Sequence, residues 1–323
     1  MYKKFFGLKE NPFNVNPDPR YLFLTRHTQE ALACLTYGIE TRKGFILLTG
    51  EVGTGKTTLL NKLLEWLQRE GVSTAFVFNP LLSVSQFFDF MMTDFGIPCE
   101  SKMKSQVLLK LNNWLLERYQ AGERAVLIVD EAQNLSPQML EEIRLLTNLE
   151  TSTEKLLQIV LAGQPELEQK LNQPALRQLR QRITLRAKTR PLTLEETRGY
   201  IHERLRIAGS AEDVFTPDSV DLIHRSARGI PRVTNLLCEH ALISAFVDQR
   251  KPIPVEIIEE VAHDFDLLEV QHPADPPQPE AAPAPGNGGQ PPLVESLLQA
   301  LNTLVDRLNK AEAAVESNTE EKT

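Results

Sequence analysis

The stretch Gly50-Glu51-Val52-Gly53-Thr54-Gly55-Lys56-Thr57 has the spacing GxxxxGK[ST], which suits it to holding phosphate. Glycines let successive backbone N–H groups turn inward around a phosphate, where a side chain would clash. A helix beginning there adds the partial positive charge of its amino terminus. In that geometry the Lys56 ammonium bridges the β- and γ-phosphates of ATP, and the Thr57 hydroxyl ligates Mg2+. Gly50 through Thr58 are the candidate nucleotide-binding residues. A chance glycine-rich turn is the competing explanation, and the apolar run before it and amphipathic run after it weigh against that.

A second constellation sits at Asp130-Glu131, directly after the apolar run AVLIV. In a parallel sheet, ligands gather beyond the carboxyl ends of the strands, so both carboxylates would face the phosphates. Asp130 suits the outer sphere of Mg2+, and Glu131 suits a general base that polarises the attacking water. A lone Asp-Glu pair is more often a solvated loop edge, but the apolar run before it and an upstream phosphate loop favour chemistry. Gln164 follows the next apolar run in LAGQPEL, placed to orient that water or read the γ-phosphate; a solvent-facing turn explains it equally well. Arg232, in Gly229-Ile230-Pro231-Arg232, begins a later helix from which it would fold onto the nucleotide. A plain surface arginine is the alternative.

Between Gln169 and Leu194 there are seven bases and no acid: Lys170, Arg177, Arg180, Arg182, Arg186, Lys188 and Arg190. Such a segment reads as a solvated basic face, as a nucleic-acid patch, or as the source of an arginine supplied to a neighbouring subunit's ATP. Aromatic residues that would stack bases do not interleave it, which favours the arginine over the patch.

These residues need a scaffold that brings strand ends together. Phe45–Thr49, Thr74–Asn79, Ala125–Val129 and Leu156–Ala162 read as buried strands, with a weaker fifth at Ile183–Ala187. They are continuously apolar rather than alternating, and helical stretches such as Thr57–Glu70 and Lys104–Gln120 separate them. That pattern predicts an α/β fold with a parallel sheet covered on both faces. After Arg190 the strands stop. Thr193 with Glu196 forms a capping box, Thr216-Pro217 starts another helix, and Pro231 and Pro254 open two more. The expected organisation is a nucleotide-binding core over residues 1–190, including the amino-terminal segment, and a small helical lid over 191–267. A linker over 268–292 follows, since residues 272–292 hold eight prolines and three glycines. Val294, Leu297, Leu301, Leu304, Leu308, Ala311 and Val315 then recur at 3-4-3-4 spacing. They predict an amphipathic heptad helix over 293–317, read as an intermolecular or partner contact.

The net charge of −8 gives no global positive field for nucleic acid. Cys34, Cys99 and Cys238 are scattered without metal-ligand spacing, which reads as free thiols in a reducing compartment. The amino terminus lacks the apolar core of a signal peptide, and no span approaches the ~20 apolar residues of a membrane helix. The chain is expected to be cytoplasmic, peripheral to the inner membrane only through a partner.

The phosphate loop, Asp130-Glu131, Gln164, the basic segment and Gly229–Arg232 come in an order that resembles the AAA+ ATPases. In that family these are Walker A, Walker B, sensor 1, box VII and sensor 2, with a helical lid last. The resemblance implies a sheet of order 5-1-4-3-2 and ATP bound between core and lid at subunit interfaces. Arg182 falls where the family's trans-acting arginine finger lies, with Arg177 and Arg180 as close competitors. A narrower resemblance covers residues 1 to about 267. YKKFFGLKENPFNVNPDPRYLF, GFILLTGEVGTGKTTL, DEAQNLSPQMLEEIRLLTNLE and LAGQPEL are similar to the ExeA/GspA-type ATPases, a group with pilus-associated and exosortase-locus relatives. It implies a homo-oligomeric, Mg-dependent ATPase that drives assembly of envelope machinery such as type II secretion, with a protein partner there. Secretion members of the group continue into a transmembrane helix and a peptidoglycan-binding domain, where this chain has the proline-rich stretch and the heptads. The rival expectation is a DNA-associated ATPase of the transposition type, which shares the core.

Overall fold

The computed structural model describes residues 2–267, apart from 15, 79–81, 99–102 and 211. The proline-rich linker, the heptad segment and Cys99 lie outside the described residues.

The chain opens with α1 (Tyr2–Phe5) and α2 (Arg26–Glu40), then alternates strands with helices. β1 (Phe45–Thr49) leads into α3 (Lys56–Arg69), and β2 (Ser73–Val77) into α4 (Val84–Asp94) and α5 (Lys104–Gln120). β3 (Ala125–Val129) is followed by α6 (Pro137–Leu146). β4 (Leu157–Gly163) is followed by α7 (Pro165–Leu171) and α8 (Arg177–Arg182), and β5 (Leu185–Lys188) closes the sheet. The rest is helical: α9 (Leu194–Ile207), α10 (Pro217–Ala227), α11 (Pro231–Val247) and α12 (Val255–Asp264).

The sheet order is β2-β3-β4-β1-β5, the expected 5-1-4-3-2 read from the other edge, and every pairing is parallel. The three inner strands β1, β3 and β4 are buried at every residue, which explains their unbroken apolar runs. The edge strands β2 and β5 are only partly covered, and the β5 sequence LRAK puts charged Arg186 and Lys188 outward. That exposure is why the fifth strand reads weakly in sequence, and it begins two residues later than expected. Ile183 instead closes α8, its N–H donating to the Arg180 carbonyl. Each fully buried Leu, Ile or Phe here contributes roughly 1.5–3 kcal/mol.

A second apolar cluster is built by the later helices around Tyr200, Leu205, Leu237, Leu242 and Ile258. Phe6, Leu8 and Phe13 from the start of the chain are buried inside this cluster, not in the sheet core. The sequence expectation groups the amino-terminal segment with the nucleotide-binding core, whereas its apolar residues pack in the helical cluster. Polar bonds hold the arrangement: the Tyr2 hydroxyl and Asn11 Nδ2 donate to Glu239 Oε1 at 2.9 and 3.0 Å, and Lys9 N donates to the Ala208 carbonyl at 2.8 Å. Burial and the Glu239 carboxylate push the Tyr2 phenol well above its ordinary range. The Thr193–Glu196 capping box forms in both directions, 3.2 and 2.8 Å. Pro231 takes the first helical turn as expected, while Pro254 is the residue before α12 rather than in it.

Candidate active site

β1 ends at Thr49, and the loop to α3 turns through Gly53 (φ +80°) and Gly55 (φ +93°), both left-handed. Those two angles are what the glycines are for. At Gly50 the constraint is space, since an added Cβ would sit 1.9 Å from Thr189 Oγ1 beyond β5. No side chain caps α3, so its first N–H groups point at the loop as donors for an anion.

Lys56 is buried, and its Nζ donates to the carbonyls of Gly50 and Glu51 at 2.8 and 2.9 Å. Burial pulls its pKa below the ordinary lysine range, although Glu131 and Asp130 nearby favour the charged form. An ammonium held by carbonyls in a dry site gains most from a ligand of opposite charge. Thr57 Oγ1 donates to Asp130 Oδ2 at 3.2 Å, and Asp130 Oδ1 accepts the Glu131 N–H at 2.8 Å. Burial raises the Asp130 carboxyl above its usual range, against the backbone bond from Glu131. A hydroxyl and a buried carboxylate side by side beneath a phosphate loop suit one hard cation completed by phosphate oxygens and water. Among the described residues no group of three or more His, Cys, Asp or Glu could hold a metal unaided.

Glu131 follows β3 in a left-handed conformation, φ 52°, uncommon outside glycine. Its Oε2 accepts from Gln133 Nε2, and from Gln164 Nε2 at 3.3 Å. Gln164 thus comes to Glu131 from the end of β4. Arg232 N donates to the Gly53 carbonyl at 3.2 Å, which seats α11 against the phosphate loop. Gly229 lies so close to Leu192 that a Cβ would come within 2.1 Å of its carbonyl.

Some of these groups line a cavity of about 340 Å³ between the two apolar clusters; Asp130 and Gln164 do not line it, and reach it only through their bonds to Thr57 and Glu131. Its floor is Val52 through Thr58 with Glu131, and Arg232 overhangs it. The remaining wall was not anticipated. Asn14, Asn16 and Tyr21 from the amino-terminal segment face Tyr200, Arg204 and Asn235 from the later helices. Arg204 is buried there, its guanidinium 4.5 Å from the Tyr21 ring centroid, with Nε donating to the Pro12 carbonyl at 2.5 Å and Nη1 to the Tyr200 hydroxyl at 2.8 Å. The Tyr200–Arg204 spacing on α9 is the only local signal for this wall.

Of the basic segment, Arg182 is half-buried and donates to Thr147 Oγ1 at 2.6 Å. Arg180 donates to Asn172 at 3.0 Å, and Arg177 is exposed. None of the three lines this cavity. Lys170 instead donates to the carbonyls of Gln133 and Leu135, tying α7 to the segment after Glu131. Cys34 is partly covered and Cys238 buried, and burial raises both thiols. No helix among the described residues is long and apolar enough to cross a membrane.

Residues 39–171 match a family described as an AAA domain. The chain is 47% identical over 247 residues to General secretion pathway protein A of Aeromonas hydrophila, covering 76% of this chain but only 45% of that protein. Among solved structures, CDC6P from Pyrobaculum aerophilum is similar with a TM-score of 0.59 at 18% identity, covering 81% of this chain and 70% of that one. The Aeropyrum pernix ORC2 protein gives 0.58 at 17%, covering 81% and 75%. The RuvB Holliday junction branch migration motor of Thermotoga maritima gives 0.50 at 19%, covering 75% and 70%. At such identities these structures share the fold.

Proposed function

Because the chain belongs to the AAA ATPases of the ExeA/GspA type, we propose that it binds ATP with Mg2+ in this cavity and hydrolyses it to ADP and phosphate. It does so as a homo-oligomer serving a cell-envelope secretion or export complex, from the cytoplasmic side of the inner membrane. The observation that carries the reading is the convergence of Lys56, Thr57 and Glu131 at one end of the cavity, with Asp130 bonded to Thr57 behind them.

Lys56 would exchange its carbonyl partners for β- and γ-phosphate oxygens, and the α3 amino terminus would take the β-phosphate. Thr57 and Asp130 would hold Mg2+, which supplies charge neutralisation for the phosphate oxygens. Glu131 would orient the attacking water through the carboxylate oxygen not engaged by the glutamines, and accept its proton as the bond to the γ-phosphorus forms. Arg232 would report the nucleotide to α11, so that core and lid close together. Arg182, or its neighbours Arg177 and Arg180, would complete the site of an adjacent subunit.

ATP turnover by the purified full chain, with and without Mg2+, tests this directly. Glu131→Gln should keep nucleotide affinity while turnover falls by roughly 10²–10⁴, as for loss of a general base. Hydrolysis at the wild-type rate would remove Glu131 from that role. The exposed arginines Arg177, Arg186 and Arg190 support a second reading, a DNA-associated ATPase. Retention on DNA that falls steeply with log salt would favour it.

A further inference from the structure

Gln133 has no part in the phosphate loop or the cation site, yet three separate contacts converge on it. Its Nε2 donates to Glu131 Oε2. Its Oε1 accepts the backbone N–H of Gln164 at 3.1 Å, and its own carbonyl accepts from Lys170. The bond from Gln164 fixes which way the amide faces, because a flipped amide would set NH2 against an N–H. Space is also reserved for it. A Cβ on Gly163 would come within 2.8 Å of Gln133 Oε1 and 2.9 Å of Leu167 Cδ2, and Gly163 has an ordinary backbone, so its smallness serves both approaches.

Glu131 needs such help. It has a left-handed backbone at the end of β3, and among the described residues the side-chain donors to its carboxylate are Gln133 and Gln164. A free carboxylate there would rotate about its long side chain. Gln164 serves two purposes, since an amide aimed at the γ-phosphate is drawn away from Glu131.

Resting on the ATPase reading above, we propose that Gln133 is the positioning residue for the catalytic base. It holds one oxygen of Glu131 so that the other faces the attacking water, and it keeps that hold when Gln164 turns to the nucleotide. Gln133 transfers no proton and touches no substrate.

The test compares Gln133→Leu, Gln133→Asn and Gly163→Ala with wild type and with Glu131→Gln in the full chain. Gln133→Leu is expected to lower kcat by roughly tenfold to a hundredfold, less than loss of the base itself. The affinity for a fluorescent ATP analogue should stay within about twofold. The loss should fall on kcat, with KM for ATP and the melting temperature close to wild type, a split that a merely structural residue would not cause. Gln133→Asn, one methylene shorter, should fall between. Gly163→Ala, which crowds Gln133 without altering it, should lower kcat with the same split. In a Glu131→Gln background, Gln133→Leu should add nothing further.

The proposal is overturned if kcat is unchanged, if affinity falls as much as kcat, or if the Glu131→Gln background shows the full additional loss. Should Gln133→Leu fail to fold, an unchanged kcat in Gly163→Ala overturns it equally. Failure of the ATPase reading looks different: wild type itself would then turn over no ATP.

Discussion

The two halves of the cavity are built on different physical plans. On the sheet side, Val52–Thr58 and Glu131 hang from strands buried at every residue, and their positions are set by backbone geometry within a few residues. On the helical side, the wall is side chains from far apart in sequence, joined by contacts such as Arg204 to Pro12, 192 residues away. The first half resists deformation because its donors belong to a packed sheet. The second is held by a few polar and aromatic contacts, so its position relative to the phosphates has more freedom. Nucleotide binding should therefore order the helical half more than the sheet half.

The largest way to break this contrast is Lys56→Ala, which removes the buried cation from the rigid half. ATP binding should fall below detection in a fluorescence titration while the apo fold survives. Retained micromolar binding would mean that the helical wall supplies the affinity. Next comes Arg182→Ala, expected to cut turnover strongly with affinity intact. Mixing it with Glu131→Gln subunits should restore activity at interfaces pairing an intact arginine with an intact base. Absence of recovery in a proven mixed assembly would place the arginine elsewhere.

Arg204→Met tests the flexible half. It leaves the Pro12 carbonyl without its partner, a cost of about 1–3 kcal/mol, and should lower the melting temperature by several degrees. ATP affinity should weaken only severalfold, with a larger share of the loss recovered at saturating nucleotide. An unchanged melting temperature would mean that the amino-terminal segment does not depend on this arginine. The smallest effect is expected at Asp130. Burial holds its pKa above the unfolded value, so the unfolded chain binds fewer protons and ionisation opposes folding at neutral pH. Asp130→Asn should raise the apo melting temperature at pH 7 by about 1–3 °C. The gain should shrink as pH falls towards the ordinary Asp pKa of ~3.9. A gain constant across that window would assign it to something other than ionisation.

The same contrast explains what could be read from sequence. Lys56, Thr57, Asp130 and Glu131 were legible because one loop and one strand end hold them, and local spacing encodes local geometry. The parallel sheet and its order were legible through unbroken apolar runs and the family resemblance. β5 was read two residues early because an edge strand carries outward charges that dilute its pattern. Asn14, Tyr21, Arg204 and Asn235 were not foreseen, since nothing local says that residues so far apart share a wall. Gln133 stood in view beside Glu131, but its role depends on Gln164 and Gly163 arriving from β4. Arg182 was placed by resemblance, and its bond to Thr147 within one chain could only come from packing.

Phe6, Leu8 and Phe13 lie among helices that begin only at Leu194. In chain topology, then, the sheet is an insertion that splits the helical cluster into a short leading piece and a long trailing one. Entropically the long closure is mild, because each doubling of the loop adds only about 0.6 kcal/mol. Its temporal consequence is larger. During synthesis the sheet can assemble as soon as β5 emerges, while Phe6 and Phe13 wait, unburied, for partners not yet made. The cavity acquires its second wall only when both ends of this region have met, so a chain truncated before α9 would carry the phosphate loop without the helical wall that faces it.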